Sequence, residues 1–362
     1  MMERLPQLIL ILGVFLTALA SVDANVKSVF VFGDDQFDPG NNRFIKNCTF
    51  QANFRPYGSS FFYYPTGRFT NGRTIADFIA QFLGIKFQRP YQDVHRQLPK
   101  DRRKGFPQNG LNFASGGSGL LQGTNKDKVV TSIQAQLQQF HSLISHKRLH
   151  KNQIEKSLFL LGSGGNDIFS YFLLHGTSKI TIPRTYVHAM LKEVARFTSQ
   201  IYKYGGRRFV FFSIGPIGCI PGRVLIRGAS TNHCNDQMNS MVEYYNAGLK
   251  SLVYKIPVMY PGAIGVFGSM HDTTMKYHNN PESYGFADVT HACCGDGPLN
   301  GMLQCGLKGY KMCVNPDGHF FWDYFHPSEH TYGLISKDFW AGGNEDIWPM
   351  NLKTLAYNIT SP

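Results

Sequence analysis

Residues 29–42 of this 362-residue chain have the sequence VFVFGDDQFDPGNN. The first four, Val29–Phe32, favour β structure and contain no polar side chain, so they predict a buried strand. The Gly33-Asp34 pair that follows predicts a tight loop. This loop carries Asp35, a carboxylate just beyond the carboxyl end of the strand. Because α/β sheets bind ligands beyond that end of their strands, Asp35 is a candidate functional residue.

Short apolar runs alternate with longer amphipathic stretches along the chain, with no repeat of fixed period. The predicted strands are Val29–Phe32, Leu111–Ala114, Lys156–Leu161, Arg208–Ser213 and Gly262–Phe267. The predicted helices are Arg73–Leu83, Ser132–Ser145, Thr185–Tyr204, Cys234–Ile256 and His326–Phe339, the fourth long enough to contain a break. Strands separated by helices predict an α/β fold, whose mainly parallel sheet is covered on both faces. The glycine-rich turns after the first three strands then lie at one edge of the sheet.

Two of these turns offer hydrogen-bond donors, in GLNFASGGSG (residues 110–119) and LFLLGSGGNDIF (residues 158–169). A glycine N–H can approach a ligand closely because glycine has no Cβ. The amide of Asn166 can donate to developing negative charge. In isolation, however, Asn166 also fits an ordinary turn residue.

A fourth segment, FWDYFHPSEH (residues 321–330), places Asp323 three residues before His326. One short turn can hold this carboxylate against the imidazole and orient it as a base. The alternatives are that Asp323 caps a helix and that His326 precedes its first turn at Pro327.

Residues 326–330 also fit H-x-x-E-H, an inverted zinc-protease motif. That chemistry needs both histidines on one helical face, whereas Pro327 predicts that His326 lies at the helix entrance. The cysteine spacing gives no pair of C-x-x-C motifs. We therefore predict no metal and no cofactor.

The four segments together resemble the plant GDSL esterase/lipase family, a branch of the SGNH hydrolases. Three intervening stretches match as well, and the resemblance covers about residues 26–345. They are PTGRFTNGRTIADFIA (65–80), IYKYGGRRFVFFSIGPIGCIPG (201–222) and YGFADVTHACCG (284–295). The resemblance implies a three-layer α/β/α sandwich of the SGNH, flavodoxin-like kind, built as one domain over residues 25–362.

The resemblance also implies roles for particular residues. Asp323 and His326 correspond to the catalytic acid and base of the family. The oxyanion-hole glycine is best matched by Gly116 or its neighbour Gly117, and the oxyanion-hole asparagine by Asn166. The family nucleophile is the serine of a Gly-Asp-Ser turn, and that position is held here by Asp35.

An aspartate at this position changes the expected chemistry. An ionised carboxylate only accepts hydrogen bonds, and it favours the protonated form of a nearby histidine. It also repels the oxyanion that the neighbouring donors would stabilise. We therefore predict that serine-esterase activity is lost. The alternative is a hydrolase acting on lipid or small acyl esters by an unconventional route, with the carboxylate as nucleophile.

The chain also resembles the inactive myrosinase-associated and epithiospecifier-modifier members of the family. This implies a binding or organising role in endomembranes or glucosinolate defence, with protein partners in the secretory pathway such as myrosinase-type complexes. A small acyl-ester or lipid ligand fits the family, and no motif indicates nucleic acid. The net charge of +12 suits acidic partners or membranes, although the clusters at residues 102–104 and 146–148 resemble solvated segments.

Residues 1–24 resemble a secretory signal peptide, with Arg4 before an apolar run from Leu8 to Ala20 and small residues near Ala24. A buried first helix is the alternative. Later segments lack 18 unbroken apolar residues, so no transmembrane segment is predicted. The protein is expected to be secreted, or retained in the endoplasmic reticulum or the vacuole.

Seven cysteines in an oxidising compartment should mostly pair, and the four between Cys293 and Cys313 predict a local disulfide staple. Seven is an odd number, so at least one thiol stays free or pairs outside the chain, where it could serve partner contacts. Asn47 and Asn358 each begin an N-x-Thr sequon and are candidate glycosylation sites.

Overall fold

The computed structural model describes residues 26–97, 106–177 and 182–357. The strands are β1 (Val29–Gly33), β2 (Arg89–Pro90), β3 (Leu111–Asn112), β4 (Leu158–Gly162), β5 (Arg208–Phe212), β6 (Ile264–Gly268), β7 (Asp288–Ala292), β8 (Cys294–Gly295), β9 (Lys311–Met312), β10 (His319–Phe321) and β11 (Ile347–Trp348). The helices are α1 (Ile75–Phe82), α2 (Tyr91–Gln97), α3 (Ile133–Ser145), α4 (Lys151–Glu155), α5 (Gly165–His175), α6 (Arg184–Lys203), α7 (Asp236–Met259), α8 (Met270–Asn279), α9 (Glu329–Ala341) and α10 (Leu352–Tyr357).

Seven strands form the central sheet in the order β11-β6-β5-β4-β1-β3-β2. All neighbours are parallel except β11, which pairs antiparallel with β6 at one edge. Strands β1 and β4 are buried along their whole length. This explains their continuous apolar sequences, since strands covered on both faces have no solvent side to alternate with.

Helices cover both faces of the sheet, as two adjacent residues of β5 show. Phe211 packs beside Val194 of α6 and Val253 of α7. The ring of Phe212 lies 5.6 Å from that of Phe339 in α9. Successive strand residues point to opposite faces, so α6 and α7 lie on one side and α9 on the other. The predicted three-layer α/β fold is confirmed.

The predicted elements match the structure to within about three residues, with two informative differences. Helix α7 is continuous through Pro257, so it contains no break. The last long helix begins at Glu329 rather than His326, because the Ser328 hydroxyl caps it by accepting a hydrogen bond from the Thr331 N–H. His326 therefore precedes the helix.

The predicted disulfide staple is confirmed by the pairs Cys293–Cys313 and Cys294–Cys305. A third disulfide joins Cys219 and Cys234. The remaining cysteine, Cys48, is reduced and buried. Its thiol faces the Phe50 carbonyl at 3.6 Å, so the expectation that a free thiol serves partner contacts does not fit this residue.

Several sequence-based expectations lie outside the described residues, namely the signal peptide at 1–24, the basic cluster at 102–104 and the sequon at Asn358. The other sequon residue, Asn47, is exposed in a loop. The cluster at 146–148 follows the end of α3 and is largely exposed. Over the described ranges, no helix combines the length and apolar character needed to cross a membrane.

Candidate active site

The four sequence segments that predicted the site meet at the carboxyl edge of the sheet. Asp35 follows β1, and Asn166 lies in the first turn of α5, directly after β4. Gly117 lies in the turn after β3, and His326 in the segment between β10 and α9. Neighbouring parallel strands β3, β1 and β4 bring three of these segments side by side.

Asp323 and His326 form the hydrogen-bonded pair that their spacing predicts. The Nδ1 atom of His326 lies 2.7 Å and 2.9 Å from the two carboxylate oxygens of Asp323. The backbone N–H groups of Phe325 and His326 donate to the same carboxylate. The Tyr57 hydroxyl donates to Asp323 Oδ2 at 2.7 Å. This fully buried carboxylate therefore has its lone pairs satisfied and fixes the imidazole ring.

The carboxylate of Asp35 faces the other side of the imidazole. Its Oδ2 atom lies 2.8 Å from Nε2 of His326. Its Oδ1 atom accepts a hydrogen bond from Asn166 Nδ2 at 2.6 Å and one from the Gly117 N–H at 3.1 Å. One side chain thus engages both the histidine and two converging donors.

Of the two glycines proposed as donors, only Gly117 faces Asp35. The Gly116 N–H donates instead to Asp38 Oδ2 at 2.9 Å, and its carbonyl accepts from Asn42 Nδ2. The expectation for Gly116 is therefore corrected to Gly117, which has a φ of 77° that suits glycine.

The site holds an ion pair. Burial alone would lower the pKa of His326, but the charges of Asp323 and Asp35 raise it to about 10. Burial alone would raise the pKa of Asp35, but the His326 charge and the hydrogen bonds from Asn166 and Gly117 lower it to about 2. Near pH 7 the Asp35 carboxylate is ionised and the imidazole is protonated on both nitrogens.

Buried carboxylates behind the site hold its loops in place. Asp38 accepts from the N–H groups of Gly40, Asn41 and Gly116. Asp167 accepts from the N–H groups of Leu120 and Leu121 and from the Thr124 hydroxyl. Burial raises the pKa of each carboxyl to about 6.

No role was predicted from the sequence for Asp38, Asp167 or Tyr57. The D-P-G turn at residues 38–40 was a usable signal for Asp38, since aspartate side chains commonly accept from backbone N–H groups two or three residues later. Tyr57 gave no such signal, because it lies 266 positions from the carboxylate that it contacts.

The ion pair lies in a cleft that is open to solvent. Its lining combines aromatic and aliphatic side chains with about as many polar groups, including the ion pair itself. The lining side chains besides Asp35, Asn166 and His326 include Phe50, Phe69, Phe169, Ile217, Ile220, Gln304, Tyr324 and Phe325. Such a cleft suits a ligand with an apolar part and one polar group.

The H-x-x-E-H residues do not converge on a common point. The two nitrogens of His326 face Asp323 and Asp35, whereas Nε2 of His330 lies 2.9 Å from the Tyr284 carbonyl. Glu329 pairs with Arg73 at 2.6 Å. In the described ranges, Cys293, Cys313 and His319 lie close enough to share a metal ion, but the two cysteines form a disulfide.

Comparison with known proteins assigns the family. The model of the GDSL-like lipase/acylhydrolase family matches residues 29–339. The chain belongs to this family. GDSL esterase/lipase 6 from Arabidopsis thaliana is 51% identical over 340 residues, which cover 94% of this chain and 93% of the relative. A GDSL lipase from Tanacetum cinerariifolium is 32% identical over 336 residues, covering 91% and 87% of the two chains.

Among solved structures, a catalytic mutant of Axe2, an acetylxylan esterase from Geobacillus stearothermophilus, aligns with a TM-score of 0.39 and 10% identity. The alignment covers 86% of this chain and 92% of the other. A likeness this distant carries no argument about the chemistry of this GDSL-like protein.

Proposed function

We propose that this member of the GDSL-like family has no serine-esterase activity, because Asp35 stands in the place of the nucleophilic serine. One observation carries the proposal, namely that the Asp35 carboxylate bridges Nε2 of His326 and the donor pair of Asn166 and Gly117. It thereby fills the two places that an acyl-transfer reaction needs, the nucleophile position and the oxyanion position.

The chemistry of the pair supports loss of activity. A general base must be neutral to accept a proton, and the raised pKa of His326 keeps it protonated near pH 7. The donors Asn166 and Gly117 are already hydrogen-bonded to a negative oxygen, so a substrate carbonyl would have to displace a charged group. Removing the nucleophile of a well-studied protease lowers kcat by about 10⁶-fold.

The rest of the family architecture supports a binding role. The cleft is retained, and a small acyl ester or a lipid suits its aromatic side chains. We assign residues 25–362 to one GDSL-type domain of a secreted or endomembrane protein, glycosylated at Asn47 and Asn358. Three disulfides and the predicted signal peptide at 1–24 support an oxidising compartment.

A role beside myrosinase-type complexes, in endomembrane organisation or glucosinolate defence, rests on the resemblance to the inactive members of the family. Co-purification of the secreted protein with myrosinase tests it directly. Recovery of the protein only as a free species would contradict it.

Hydrolysis of p-nitrophenyl acetate and p-nitrophenyl butyrate tests the loss of activity. We expect no turnover by the native chain above that of Asp35→Ala, because both lack a usable nucleophile. Asp35→Ser restores a hydroxyl opposite His326 and should gain turnover. The gain should disappear when Asp35→Ser is combined with His326→Ala, which controls for contaminating esterases.

Ester hydrolysis by the native chain would instead support the alternative, a hydrolase that acts by an unconventional route. If the native chain turns over these esters, and if His326→Ala or Asp35→Ala abolishes that turnover, the protein is an active hydrolase with Asp35 as a working group. The proposal of an inactive esterase would then be wrong.

A further inference from the structure

A short loop held by two disulfides carries an unusual concentration of exposed apolar side chains. We call residues 302–314, with the sequence MLQCGLKGYKMCV, the stapled loop. In the described part of the chain, fourteen large apolar side chains are more than a third exposed, and five of them lie in these thirteen residues. They are Met302, Leu307, Tyr310, Met312 and Val314. Exposed apolar groups concentrated in this way mark interaction surfaces.

The backbone of the stapled loop is fixed, so these side chains are presented in defined positions. The disulfides Cys294–Cys305 and Cys293–Cys313 tie both ends of the loop to one buried segment. Within the loop, the Leu307 N–H donates to the Gln304 carbonyl at 3.2 Å. A surface that is already ordered loses little conformational entropy on binding.

The stapled loop adjoins the mouth of the cleft. Gln304 lines the cleft, and its side chain donates to the Gln51 carbonyl at 2.9 Å. The exposed Leu307 follows three residues later. The segment that contributes Gln304 to the cleft therefore leads within three residues to an exposed apolar side chain.

Helix α5 also runs from the cleft to exposed apolar side chains. Asn166 and Phe169 line the cleft near the start of this helix. Leu173 lies four residues after Phe169 and so projects from the same helical face. Leu173 is 53% exposed and Leu174 is 79% exposed. Two separate segments that line the cleft thus each lead within a few residues to exposed apolar side chains.

The charge of the stapled loop indicates what it contacts. Residues 302–314 contain no acidic residue, whereas Lys308 and Lys311 are both exposed. Lys311 pairs with Asp296 at 2.8 Å, and the whole chain carries a net charge of +12. Protruding apolar side chains between lysines suit the boundary of headgroups and acyl chains in an anionic bilayer.

We propose that the stapled loop and the end of α5 dock the mouth of the cleft onto a lipid surface with anionic headgroups. The apolar side chains enter the acyl boundary, and the lysine ammonium groups remain among the headgroups. This docking uses no residue of the Asp35–His326 pair, so it is independent of whether the cleft is catalytic.

Sedimentation with vesicles tests the docking. The native protein is mixed with vesicles of phosphatidylcholine and phosphatidylglycerol in equal parts, and separately with vesicles of phosphatidylcholine alone. We expect binding that is stronger to the anionic vesicles. The double variant Leu307→Ser with Met312→Ser should lower the partition coefficient about tenfold or more, because two apolar side chains that enter the acyl boundary on docking are lost.

A control uses apolar residues elsewhere on the surface that are even more exposed than Leu307 and Met312. Tyr254 and Val258 lie near the carboxyl end of α7, which leads into the start of β6 and so lies at the opposite edge of the sheet. The double variant Tyr254→Ser with Val258→Ser should bind vesicles as the native chain does. Unchanged circular dichroism of both double variants would show that the fold is intact.

Three results would overturn the proposal. The native chain fails to bind anionic vesicles, or the loop variant binds as well as the native chain, or the control variant loses binding equally. If sedimentation instead shows a dimer of the native chain that the loop variant abolishes, without vesicle binding, the surface is an interface between two copies.

Discussion

The Asp35 carboxylate and the His326 imidazolium reproduce a charge arrangement that acyl-transfer enzymes form only briefly. During acyl transfer a negative oxygen lies in the oxyanion hole, beside an imidazolium that is held by a carboxylate. Here Asp35 Oδ1 accepts from Asn166 and Gly117, and Asp323 holds the protonated His326. Under the proposed function, Asp35 thus occupies the two donors, Asn166 and Gly117, that would otherwise stabilise a substrate oxyanion.

The substitution Asp35→Ser is expected to lower stability, although under the proposed function it should gain esterase turnover. It removes a buried ion pair and two hydrogen bonds to a charged oxygen, and we expect a loss of about 2 kcal/mol in the free energy of unfolding. Urea denaturation of the native and variant proteins measures this loss. A variant as stable as the native chain would contradict it.

The stability difference should also depend on pH. The lowered pKa of Asp35 gives a contribution that is present above about pH 4 and is lost as the pH falls through about 2. The raised pKa of His326 gives one that is present below its ordinary value of 6.5 and is lost as the pH rises through about 10. The free energy of unfolding of the native chain should exceed that of Asp35→Ser by the largest amount between about pH 4 and pH 6.5, where both contributions are present. Urea unfolding at several pH values checks this. A difference that grows above pH 6.5 would be the opposite result.

Site residues were predictable from the sequence where a motif calls for a particular kind of side chain, such as a carboxylate, an amide or an imidazole. Asp35, Asn166, Asp323 and His326 were predicted from the sequence, and the structure brings all four together. The choice between Gly116 and Gly117 was not predictable, because it depends on which N–H the buried Asp38 carboxylate accepts from. That contact joins residues 78 positions apart.

At the scale of elements, a side chain in the first turn of α5 holds the segment after β3 in place by hydrogen bonds. Asp167 is fully buried and accepts from two backbone N–H groups and one hydroxyl of residues 120–124. Asp167→Ala would leave these three donors without a partner in a buried place. We expect it to lower the free energy of unfolding by about 3 kcal/mol, as measured by urea denaturation.

Asp127→Ala is the matched control for this prediction. Asp127 lies near the same turn, is exposed and pairs with Lys128 at 3.1 Å. Its removal should change stability by less than about 0.5 kcal/mol. Equal losses in the two variants would show that Asp167 does not anchor the turn.

Elements with a clear apolar pattern were predictable from the sequence, and several without one were not. Strands β1, β4, β5 and β6 are continuous apolar runs, and each was predicted within about two residues. The two-residue strand β2 is formed by pairing with β3, so its own sequence carries little signal. Helix α5 was missed because its first turn, Gly165 to Asp167, resembles a loop in sequence.

At the scale of the whole molecule, the alternation of strands and helices was enough to predict the layered α/β fold. The position of the cleft could also be predicted from the sequence, because the carboxyl ends of parallel strands meet at one edge of the sheet. The exposure of the apolar side chains in the stapled loop could not be predicted in this way, since the course of that loop depends on two disulfides.

The protonation state of His326 tests the central claim most directly. Nitrogen resonances of isotope-labelled histidine report whether each ring nitrogen carries a proton, and the spectrum of His326→Gln assigns the resonance. In the native chain we expect an imidazolium at neutral pH that persists toward a pKa of about 10. In Asp35→Ser the pKa should fall, because one of the two neighbouring negative charges is gone. A neutral His326 at neutral pH in the native chain would contradict the claim that Asp35 holds the base in its protonated form.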